Sequence, residues 1–71
     1  MVNIELLKEH IQESGMTMTS IAKKTGILRE TLYNRLNGVG QFSAIEIVAL
    51  TKCLHLSKSE RDDIFLRDEV N

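Results

Sequence analysis

The sequence predicts an all-α fold, a compact arrangement of five short helices, and three observations predict it. Apolar residues recur three and four positions apart through most of the 71 residues, as one-sided helices require. Aromatic residues number only three, Tyr33, Phe42 and Phe65, fewer than a β core of this size draws on. Proline is absent, and an all-β fold of this size would want more β-branched residues and more turn punctuation. With 42% apolar and 27% charged residues the chain has the balance of a globular domain and is too apolar for disorder. Its length allows one domain, which buries about 60% of the surface its unfolded form exposes.

The first helix runs from Val2 to about Ser14, with Ile4, Leu7 and Ile11 on one face and Leu6 beside them, and Gly15 ends it as a left-handed cap. Thr17 is the N-cap of the second, Met18 to about Thr25, whose inner face is Ile21, Ala22 and Thr25. Gly26 closes it after two turns. Leu28 to Leu36 forms the third helix, with Leu32 and Leu36 inward and Arg29, Glu30, Tyr33 and Asn34 outward. Asn37-Gly38 stops it, and Val39 to Phe42 is a loop. Ser43 with Glu46, and again Ser57 with Glu60, are capping boxes that start the fourth and fifth helices. The apolar stripe Ile45, Val48, Leu54, Ile64 and Phe65 is expected in the core, and the chain frays from Asp68 to Asn71.

The same residues exclude or disfavour several function classes. One cysteine allows no intramolecular disulfide, and Cys53, His55 and His10 do not make up a structural zinc set. Cys53 reads as a small buried thiol and His10 as a solvated helix residue. No cofactor is expected. There is no nucleophile with a neighbouring base and no phosphate-cradling glycine loop, so an enzyme is not expected. The longest apolar run, Ile47 to Leu50, is too short for a membrane span or a signal peptide, which makes a soluble cytoplasmic protein the expectation.

The net charge of −1 conceals a patch. Residues 1–15 sum to about −2 and residues 57–71 to about −2, whereas 16–42 carry Lys23, Lys24, Arg29 and Arg35 against Glu30 alone, about +3. That basic stretch includes MTMTSIAKKTGILRETLYNRLNG, from Met16 to Gly38. A two-turn helix, a glycine-centred turn and a second short helix with a polar outer face is the helix-turn-helix arrangement, in which the second helix is held out from the body. Ala22 is small where helices cross, Gly26 suits a positive φ, and Ile27 and Leu32 pin the second helix to the first.

Thr17, Ile21-Ala22, Gly26-Ile27, Thr31-Leu32 and Leu36-Asn37-Gly38 resemble the DNA-binding unit of the lambda repressor and Cro family. The resemblance covers residues 1–71 as a single lambda-repressor-like domain, with the motif at about 17–38. It implies a stand-alone Cro-like transcription regulator of the kind found in phage and mobile-element lysogeny switches, located in the cytoplasm on the nucleoid. Residues 28–36 then correspond to the recognition helix, with Arg29, Glu30, Tyr33 and Asn34 toward base edges. Arg can bond O6 and N7 of guanine together, Asn can pair bidentately with adenine, and Glu can accept from cytosine. Lys23, Lys24, Arg35 and Gln41, with the backbone N–H groups of Asn37 and Gly38, correspond to phosphate contacts. The implied partner is a double-stranded operator, an inverted repeat read by a homodimer that forms on DNA, and Phe65, Leu66 and Val70 are the candidate self-association surface.

The chain departs from that pattern at three places. Met18 stands where the family usually has Gln, Leu28 replaces the Ser or Thr that caps the recognition helix, and Arg35 fills a position that is more often apolar. Exposed Met18 and Leu28 on the probe face also suit a protein. The alternative reading is therefore a modulator that binds a phage-type repressor as anti-repressor or co-repressor and keeps the fold without tight DNA binding.

Overall fold

A computed structural model describes residues 2–66, and every regular element in them is helical. The first helix, α1 (Ile4–Ser14), starts where Asn3 Oδ1 accepts from the Leu6 N–H at 3.0 Å, two residues later than the apolar spacing suggests. Gly15, at φ +72, ends it. Helix α2 (Met18–Thr25) begins at Thr17, whose hydroxyl accepts from Ser20 N–H at 3.1 Å, and ends at Gly26 with φ +80. Helix α3 (Arg29–Leu36) has Leu28 as its N-cap residue and no side-chain capping bond.

Helix α4 (Ala44–Cys53) and helix α5 (Lys58–Arg61) both open with a complete capping box. Ser43 N–H donates to Glu46 at 2.9 Å and Ser57 N–H to Glu60 at 2.8 Å, and each serine hydroxyl accepts the reciprocal bond. Helix α5 widens at once into a π-helical turn, Asp62–Leu66, which carries Ile64 and Phe65 inward. Asn3 N–H donates to the Ile64 carbonyl at 2.7 Å and ties this turn to the start of α1.

One core joins α1 to α4 and the π-helical turn. Leu7, Ile21, Ile27, Leu32, Leu36, Leu50, Ile64 and Phe65 are buried, with Phe42 set edge-on to Phe65 at 5.6 Å between ring centroids. The Cα radius of gyration is 11.3 Å, the value of a compact domain at this length, about 11 Å.

Four expectations from the sequence are corrected here. Ile45 and Val48 are not core: they are 81% and 53% exposed, and α4 buries Leu50 with Ile47 and Leu54 packed beside it. Phe65 is 5% exposed, so it cannot contribute to a self-association surface, which leaves exposed Leu66; Val70 lies outside the described residues. Met18 is half-buried against the core instead of standing out on the probe face. His10 is also half-buried instead of fully solvated.

Candidate functional site

The turn between α2 and α3 is held by Thr25. Its hydroxyl donates to the Ile21 carbonyl at 2.8 Å and accepts from the Ile27 N–H at 3.2 Å, so one side chain bridges both sides of Gly26. A non-glycine residue at φ +80 would be strained, and a Cβ there would meet no atom within 4 Å, so the demand is conformational and not one of space. With Ile27 buried just before α3 and Leu32 buried within it, the helix is anchored to the core at its entry and at its middle.

The outer face of α3 is what that fixed orientation presents. Arg29, Glu30, Tyr33 and Asn34 are all exposed, while Leu32 and Leu36 are buried on the opposite side. The Arg29 guanidinium sits 5.6 Å from the centroid of the Tyr33 ring, one turn along the helix. Stacking of this kind limits the rotamers of both side chains and keeps the guanidinium edge open. At the N-terminus, Leu28 is 74% exposed and leaves the first N–H groups of α3 without a side-chain partner. Lys23 and Lys24 are exposed in the last turn of α2, and Gln41 is exposed in the loop before α4.

The way α3 ends engages three of the expected phosphate-contact residues within the chain. Gly38, at φ +85, donates its N–H to the Arg35 carbonyl at 3.1 Å, and Val39 N–H donates to the Asn34 carbonyl at 2.8 Å. This paired closure satisfies the last carbonyls of the helix. Asn37 N–H is bonded to the Tyr33 carbonyl at 3.0 Å. The backbone donors of Asn37 and Gly38 are therefore consumed inside the chain. Arg35 is likewise turned inward: Nη1 donates to the Val39 carbonyl at 3.3 Å, and Nε lies 3.9 Å from Glu46 Oε1 with no hydrogen bond of its own. Its guanidinium fastens the 37–42 loop to the start of α4.

The structure thus brings together Arg29, Glu30, Tyr33 and Asn34 on one helix face, keeps Lys23 and Lys24 on the element before it, and withdraws Arg35. Sequence reasoning missed the bridging role of Thr25, although Thr before Gly at the end of a short helix is a readable signal for it. Among the described residues, no three His, Cys, Asp or Glu side chains gather as metal ligands. None of the described helices is long and apolar enough to cross a membrane. No protein-family model, curated protein or solved structure matches the chain.

Proposed function

We propose that the chain is a sequence-specific DNA-binding regulator, with α2, the Gly26 turn and α3 as a helix-turn-helix and α3 as the element that enters the major groove. The observation that carries this reading is the outer face of α3: four side chains with base-reading or phosphate-bonding chemistry, all exposed, on a helix whose other face is fixed in the core. Arg29 reads guanine, Asn34 reads adenine, Glu30 accepts from cytosine, and Tyr33 positions Arg29. Lys23, Lys24 and Gln41 hold the phosphates. One such helix spans only about four or five base pairs, so two copies on a two-fold site supply the specificity.

The test is fluorescence anisotropy of labelled DNA from upstream of the chain's own gene, at two salt concentrations, with an Arg29→Ala/Asn34→Ala variant alongside. The reading requires saturable, salt-weakened binding that the variant loses. A second reading draws on Leu28, a large apolar side chain 74% exposed at the tip of the same face. In it the face binds a repressor protein and modulates it. Binding to upstream DNA no tighter than to random DNA, with the affinity of a neighbouring repressor altered, would replace the first reading by the second.

A further inference from the structure

Helix α4 is apolar on two sides, and only one of them is used. Ile47, Leu50 and Leu54 face the core. The opposite strip, Ile45, Val48, Ala49 and Lys52, follows the one-face helical spacing of three and four residues. With Ala44 and Lys24 it borders an open hollow of about 550 Å³. A face with an 81% exposed isoleucine and a 53% exposed valine side by side leaves apolar surface in water that a partner could cover.

We propose that this strip docks an acidic amphipathic helix of a partner protein. The charges around it select that occupant. Lys24 and Lys52 border the hollow, and no carboxylate does. Glu46, the one acid of α4, is committed to the Ser43 N–H and lies beside Arg35. A second copy of the chain pairs poorly here. Antiparallel two-fold pairing of α4 with itself sets Lys52 of each copy against Ile45 of the other and supplies no counter-charge. An incoming helix with apolar residues at i, i+3, i+4 and i+7 fits Ile45 and Val48, and the small Ala44 and Ala49 admit its backbone closely. Carboxylates on its flanks then meet Lys24 and Lys52. This surface is separate from the outer face of α3 and does not rest on the DNA reading, although it shares Lys24 with the proposed phosphate contacts.

The experiment uses the full chain and a fluorescein-labelled peptide of about 16 residues, with Leu at the i, i+3, i+4, i+7 positions and Asp or Glu elsewhere. A scrambled peptide of the same composition is the control. Expected are binding of the patterned peptide at least about tenfold tighter than of the scrambled one, a loss of about tenfold or more in Ile45→Asp, and a weaker, less salt-sensitive complex with Lys52→Glu. Circular dichroism checks that both variants keep their helices, which the exposure of both sites favours. Equal binding of the two peptides overturns the proposal, and so does an unchanged Ile45→Asp. A concentration-dependent dimer in sedimentation velocity that Ile45→Asp dissolves would make a second copy the occupant. Loss of DNA binding in Lys52→Glu with unaltered peptide binding would assign that cation to phosphate. Peptide binding by a chain that fails on DNA would leave this proposal standing and the DNA reading fallen.

Discussion

The guanidinium of Arg35 occupies the space that a side chain on Gly40 would need, with Nη1 and Cζ both in the way. Gly40 has φ +78, so its place is fixed by backbone conformation as well as by this neighbour. Gly40→Ala is expected to lower stability by about 1–2 kcal/mol, read by urea unfolding. In an Arg35→Ala background most of the penalty should remain, because a guanidinium can swing aside and the backbone cannot. Disappearance of the penalty there would make crowding the cause.

His55 offers the opposite change. It is the one described non-glycine residue with a positive φ, +55, and it ends α4 in the closure that glycine favours, with Leu56 N–H donating to the Thr51 carbonyl at 2.9 Å and His55 N–H to that of Lys52 at 3.3 Å. His55→Gly should therefore raise stability by about 1 kcal/mol. A fall in the unfolding midpoint would show that the imidazole makes a contribution larger than the relief of strain.

The two faces of α4 differ in what they contribute to folding. Leu50→Ala, at a site with no exposure, is expected to cost about 2–5 kcal/mol, whereas Ile45→Ala should stay within about 0.5 kcal/mol. Denaturant titration of the two variants decides it, and comparable losses would mean that the face assignment is reversed.

Acid should weaken the cap of α5. The Glu60 carboxyl is held below its ordinary value of 4.5, first by the Ser57 N–H, with the charge of His10 and the Ser57 hydroxyl adding to the effect against a partial desolvation that raises it. A carboxylate with a depressed folded pKa contributes stability above its unfolded value, and that contribution is lost as pH falls through the folded one. Wild type should lose stability relative to Glu60→Gln as the pH drops below 4.5, read as the melting-temperature difference between them. A difference that does not vary across that range would show that Glu60 does not carry the effect.

On DNA, Arg29 and Lys23 should fail in different ways. Arg29→Ala is expected to lose about 1–3 kcal/mol, concentrated at one base pair, while Lys23→Ala weakens all sequences alike and reduces the salt slope by about one. Anisotropy against a panel of single-base operator variants separates them. Equal losses from both on every sequence would sink the assigned roles.

Much of this was legible in the chain itself. The caps at Thr17, Ser43 and Ser57, the left-handed glycines at 15 and 26, and the inward Leu32 and Leu36 depend on bonds and sterics within a few residues, so local sequence determines them. The polar outer face of α3 follows from the same helical period. What helical spacing misassigned, by placing Ile45 and Val48 in the core, is which side of a two-sided element meets it. Along α4, Ile45, Val48 and Ala49 form one stripe and Ile47, Leu50 and Leu54 another, both at helical spacing, and only Lys52 in the first hints at the answer. Tertiary packing decided it, since burying the second stripe keeps the Lys52 ammonium in water. Packing likewise placed Phe65 against Phe42 through a π-helical turn and drew Arg35 back to Val39 and Glu46. The Phe42–Phe65 contact depends on a partner distant along the chain, and the Arg35 contacts on the path of the loop that follows α3, and residue spacing within one helix encodes neither.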